Sequence, residues 1–83
     1  MLKWSVFTPS DFEYDFVRDE LAPHRVTFEE TVECFFSDFE VLRNKRYWRH
    51  YQLIGQTLLG RRLKLIFQLK RGNVVRIITG WPM

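Results

Sequence analysis

After Asp38 the chain alternates apolar and polar side chains with a period of two, and before it the repeat is helical. Phe39 to Arg43, Tyr47 to Thr57, Arg61 to Lys70 and Asn73 to Thr79 each read as a strand. The alternation is sharpest in the third. There Leu63, Leu65, Phe67 and Leu69 share one face, while Lys64, Gln68 and Lys70 share the other with Ile66. The links are short, so antiparallel pairing is expected. Val74-Val75-Arg76-Ile77-Ile78 is apolar on both sides apart from Arg76, the pattern of a central strand or of one covered by a partner.

Upstream, Thr27-x-x-Glu30 is a capping box that opens a helix. Phe28, Val32 and Phe35 fall on one of its sides, with Glu29, Glu30 and Glu33 on or beside the other, and its end is expected near Phe36 or Ser37. Ser10-x-x-Glu13 has the same form, and Phe12, Phe16 and Leu21 recur at helical spacing until Pro23, so an earlier helix is predicted from about Asp11 to Leu21. Lys3 to Phe7 is a short candidate strand, broken at Thr8-Pro9-Ser10. These elements predict an α+β domain in which two N-terminal helices pack on a three- to five-stranded antiparallel sheet.

With 83 residues there is room for one domain, and 46% apolar content is too high for a disordered chain. Cys34 is the single cysteine, which excludes an internal disulfide and points to a reducing, cytoplasmic setting. Its neighbours Val32, Phe35 and Phe36 suggest a buried, inert thiol. No apolar run approaches the roughly 18 to 20 residues of a spanning helix, and no signal segment is evident, so no membrane partner is expected. One Cys and two separated His make no structural zinc site, and neither a phosphate-binding glycine loop nor a nucleophile elbow is present. The expectation is a protein without metal or cofactor.

Charge is strongly segregated. All ten acidic residues lie in the first forty positions, giving that part about −7, and the remainder carries about +10. Arg46, Arg49, Arg61, Arg62 and Lys64, interleaved with Tyr47, Trp48 and Tyr51, supply the cations and rings that single-stranded RNA binding requires. The alternative is a set of solvated strand edges balanced by acidic helices packed alongside.

Arg76 interrupts a Val/Ile strand, so it is expected to bind an anion, to snorkel to the surface or to pair with a helix carboxylate. A two-residue turn at Arg71-Gly72 or Gly72-Asn73 places it on the Leu65/Phe67 face, and a three-residue loop places it on the Lys64/Gln68 face. His24 and His50 are the side chains whose ordinary acidity suits proton transfer near neutral pH.

Several segments resemble BrnT-type toxins, small RelE-like ribonucleases of bacterial toxin–antitoxin pairs. They are Phe12-Glu13-Tyr14-Asp15, His24-Arg25-Val26-Thr27-Phe28-Glu29-Glu30, Ile54-Gly55, Gly60-Arg61-Arg62-Leu63 and Val75-Arg76-Ile77-Ile78-Thr79. The resemblance runs from about Phe12 to Trp81. It implies metal-independent RNA cleavage by attack of the 2′-hydroxyl, with a cognate antitoxin as partner. On the matching positions His24 is the proton-transfer residue, Glu29 or Glu30 its helper and Arg76 the phosphate clamp, with Arg49 or His50 supplying a further cation or acid. Pro23 and Trp81 stand where the family carries Lys and Arg, and no basic helix follows Trp81-Pro82-Met83. Loss of two cations from a site that works mainly by electrostatics is expected to cost several kcal/mol of transition-state stabilisation. Weak or absent cleavage is therefore among the expectations, beside two alternatives: a module that binds a protein partner or a second copy of itself, and RNA binding without cleavage.

Overall fold

The computed structural model describes residues 7–43 and 49–83. Its strands are β1 (Asp11–Tyr14), β2 (Glu40–Arg43), β3 (His50–Gln56), β4 (Arg62–Lys70) and β5 (Val74–Pro82), with one helix, α1 (Phe28–Cys34), between β1 and β2. The sheet order is β1-β5-β4-β3-β2. β2, β3, β4 and β5 pair antiparallel in succession, as the short links require, but β1 lies parallel to β5. The architecture is α+β with a mixed sheet. The all-antiparallel expectation fails at β1, whose return to β5 passes through the helix and three strands.

Residues 11–21 form no helix, so among the described residues the predicted two-helix layer is a single helix with short 3-10 turns. Period two wins over period 3.6: Phe12 and Tyr14 pack against the core, while Asp11 and Glu13 take the alternate positions. The Ser10 hydroxyl donates to the Gly72 carbonyl and its N–H to Asn73 O at 3.1 Å, so Ser10 fastens β1 to the β5 hairpin instead of capping a helix. Asp15 then folds the chain into a turn, its Oδ1 accepting from Val17 N and Arg18 N at 3.1 and 3.2 Å. The Tyr14 hydroxyl holds that turn closed, donating to Asp19 Oδ1 at 2.7 Å and accepting from Leu21 N–H at 2.9 Å. Leu21 is buried in the core, and Phe16, which the helical spacing grouped with it, is left exposed.

The second capping box forms as predicted. Thr27 Oγ1 accepts from Glu30 N at 3.1 Å, and Glu30 Oε1 accepts from Thr27 N at 3.0 Å. The helix stops at Cys34, short of Phe36, and its inward side is Thr31, Cys34 and Phe35 while Val32 is only half-buried. Gly55 explains how close it can come: a Cβ there would lie 3.0 Å from the Cys34 carbonyl and 3.0 Å from Ser37 Oγ.

Beneath the helix, Leu53, Leu63, Leu65, Phe67, Leu69, Val75 and Ile77 make the sheet side of the core. All four apolar positions of the β4 stripe are buried, as the alternation predicts. Phe67 anchors them, edge-on to Phe35 with centroids 5.1 Å apart and stacked on Tyr51 at 5.6 Å. The link between β4 and β5 is Arg71–Asn73, three residues with Gly72 at φ 74° and Asn73 at φ 60°. This length sets Arg76 opposite Gln68, on the Lys64/Gln68 face. A bulge at Ile78 follows, Ile66 pairing with Thr79 and Phe67 with Ile77, so that Ile77 and Gly80 both face inward. β5 is flanked by β1 and β4; Val75 and Ile77 are buried, and Val74 and Ile78 are part-exposed. Of the predicted strand from Lys3 to Phe7 only Phe7 is described, and it is buried; Arg46, Tyr47 and Trp48 lie outside the described residues.

Candidate RNA-binding face of the sheet

Strand register assembles one row of polar side chains that the sequence scatters. His50 pairs with Gln68, Gln68 with Arg76, and Arg76 with Glu13, so the four stand side by side across β3, β4, β5 and β1. Directly paired residues point to the same side of a sheet, and strands are about 4.8 Å apart, which puts the His50 and Arg76 backbones about 10 Å from each other. The row lies on the side opposite the buried leucines and α1. Gln52, Ile54, Lys64, Ile66, Lys70, Thr79 and Trp81 share it through the same registers, nearly all at intermediate exposure.

Electrostatics on this face centres on Glu13. Lys70 Nζ lies 3.0 Å from its Oε2 and 3.3 Å from its Oε1, and Arg76 Nη1 lies 3.5 Å from Oε2. The Lys70 hydrogen bond, against a smaller opposing effect of burial and with Arg76 assisting, holds the Glu13 carboxyl below its ordinary pKa. Arg76 thus has a carboxylate partner, on a neighbouring strand and not on a helix. Arg62 and Lys64 form no ion pair among the described residues. Glu13 is a member of the site that sequence reasoning passed over, whereas Lys70 stood among the ten cations of the basic half without being singled out. For Lys70 the signal was present, since parity puts it on the Lys64 and Gln68 face; for Glu13 it was masked by the presumed helix.

The remaining candidates lie elsewhere. Arg61 Nη1 donates to the Arg25 carbonyl at 2.9 Å and to Glu30 Oε1 and Oε2 at 3.2 and 3.1 Å, tying the start of β4 to the first turn of α1. Burial pushes the Glu30 pKa up, but the Thr27 N–H and the Arg61 guanidinium outweigh it and the net shift is downward. Arg49, at φ 59°, donates from Nε to Leu69 O at 2.7 Å and finishes the β3–β4 pairing. His24 is exposed on the Ala22–His24 turn, its ring 6.0 Å from that of Trp81, in a depression shared with Glu20, Pro23 and Thr79. Arg76 borders a separate small crevice with Tyr14, Asp15, Arg18 and Glu20, so the two depressions touch only through Glu20. Glu29 is exposed at the α1 start beside Arg25 and Phe28. The structure therefore brings His50 and Arg76 into one row and leaves His24, Glu29 and Glu30 outside it. Cys34 is fully buried, and burial, reinforced by Glu33 and Glu30, pushes its thiol up to about 12.

An imidazole, an amide and a guanidinium along about 10 Å of this row, with Lys64 and Lys70 on the same face, can hold an extended anion and present a proton-transfer group to it. Among the described residues no group of three or more His, Cys, Asp or Glu could hold a metal ion, and no helix is long and apolar enough to cross a membrane. The chain matches no protein-family model, and no curated protein matches it.

Proposed function

We propose that this is a toxin-type, RelE-like domain that engages single-stranded RNA on the open face of its sheet, with His50 and Arg76 as the pair that acts on a phosphodiester. The observation that carries it is the His50–Gln68–Arg76 row, flanked on the same face by Lys64 and Lys70. The ordered segments resembling toxin ribonucleases supply the reaction. Arg76 neutralises the non-bridging oxygens of the phosphate, and His50 takes the proton of the attacking 2′-hydroxyl or returns one to the departing 5′-oxygen. The new O–P bond leaves a 2′,3′-cyclic phosphate and a 5′-hydroxyl. With one imidazole in the row, only one of the two proton transfers is assisted by the protein, so turnover is slow. On the same resemblance the protein partner is an antitoxin, and the setting is the bacterial cytoplasm.

Incubation of the purified protein with a mixed-sequence RNA tests this. The expected result is cleavage with 2′,3′-cyclic ends, lost in His50→Ala while salt-sensitive binding persists, and both weakened in Arg76→Ala. A folded protein that binds RNA but leaves it intact across a range of pH reduces the proposal to binding alone. Affinity independent of salt removes RNA altogether.

A further inference from the structure

Glu13 differs from the other acids on this face in what it touches. It stands in register with Arg76, and it receives Lys70 from β4 and Arg76 from β5 on one carboxylate, at 3.0 and 3.5 Å. All three side chains are accessible, with exposures of 36% for Glu13, 43% for Lys70 and 37% for Arg76, so an external anion can reach the cations. Asp11, on the same strand and the same side, makes a different use of its charge. Its Oδ1 accepts from the adjacent Phe12 N–H at 2.8 Å, and it forms no ion pair among the described residues. Two cations converging from different strands on one oxyanion is the arrangement that holds a phosphodiester, which offers two non-bridging oxygens and a full negative charge.

We infer that Lys70 and Arg76 form a phosphate subsite on the RNA-binding face, and that Glu13 occupies it in the free protein as a displaceable competitor. This rests on the RNA-binding proposal and adds to it a ligand group, a second cation and an internal brake. A bound phosphate takes both cations from Glu13, whose carboxylate then stays one strand away, about 5 Å, and opposes it. An isolated small anion cannot meet that opposition with contacts elsewhere. A polyanion that also reaches Lys64 and Arg62 can, so the carboxylate selects for extended RNA over free phosphate.

The test compares Glu13→Gln, which keeps the side chain's shape and removes its charge, with Asp11→Asn, which makes the same charge change on the same face without touching the cations. The probe is a short fluorescein-labelled oligouridylate with 2′-O-methyl riboses, which cannot be cleaved, titrated by fluorescence anisotropy. Releasing two exposed ion pairs corresponds to about fivefold tighter binding at low salt for Glu13→Gln, against less than about twofold for Asp11→Asn. The substitution removes one negative charge beside the bound phosphates, so the slope of log K on log salt steepens by about 0.7, the single-strand value for one further neutralised phosphate. Adding Arg76→Ala to Glu13→Gln abolishes the gain. Equal affinities for Glu13→Gln and Asp11→Asn, with the wild type binding normally, overturn the subsite and leave the RNA face standing. No binding by any of the three overturns both.

Discussion

Replacing Arg61 by Ala separates a structural cation from an RNA-contacting one. The sequence places Arg61 beside Arg62 and Lys64 as an RNA contact, yet its guanidinium spans the Arg25 carbonyl and both oxygens of Glu30. Arg25 sits at φ 57°, closing the turn before α1, and Glu30 also completes the capping box, so one side chain joins the β4 start, that turn and the helix. The side chains of Arg61 and Glu30 are 35% and 24% exposed, which leaves the pair partly screened by solvent. Allowing about 1 kcal/mol for the ion pair and about 0.5 to 1 kcal/mol for the bond to the carbonyl, Arg61→Ala costs roughly 1.5 to 2 kcal/mol. In a domain of this size that lowers the midpoint of thermal unfolding by about 10 °C.

Circular dichroism melts at neutral pH measure this, and the pH dependence gives a second constraint. Glu30 has a folded pKa below its unfolded one, so its ionised partnership contributes fully above the ordinary carboxylate range, about pH 4 to 5, and is lost as pH falls through the folded value. Arg61 remains charged throughout, so the gap between wild type and Arg61→Ala should narrow on acidification below about pH 4. RNA affinity should fall by no more than one generic phosphate contact. A variant that melts within about 1 °C of wild type but binds RNA tenfold or more weakly would refute the structural assignment and return Arg61 to the RNA surface.

Gly55→Ala tests the approach of α1 to the sheet: its Cβ would meet a main-chain carbonyl at 3.0 Å that cannot retreat without the helix, so a loss of about 1 to 3 kcal/mol in urea unfolding is expected, and an unchanged midpoint would show that the helix sits farther away. Cys34, buried with its thiol pKa raised to about 12, should leave a disulfide reagent unreacted in the native protein near pH 8 and react fully once unfolded. Rapid native-state reaction would mean that α1 opens readily.

What could be read from the sequence follows the range of the interactions involved. The Thr27–Glu30 box closes within four residues, and the β4 stripe contrasts leucine with lysine and glutamine on successive positions, so each declares itself locally. Strand β1 does not. Phe12 and Phe16 fit a helical repeat as well as Phe12 and Tyr14 fit a strand, and the decision rests with β5, whose backbone pairs with β1 and whose hairpin holds Ser10. Misplacing β1 carried Glu13 into an imagined layer of acidic helices and made charge compensation look like a matter between layers. Part of it does lie between layers, where Arg61 pairs with Glu30, but part lies within the sheet, where Glu13 faces Lys70 and Arg76. The side chosen by Arg76 hung on one residue of turn length, and Gly72 with Asn73, both at positive φ, decided it for the Gln68 side. Without that extra residue Arg76 would point into the core beside Phe67 and the row with His50 would not exist. Register across four strands makes this site, and no window of sequence contains it.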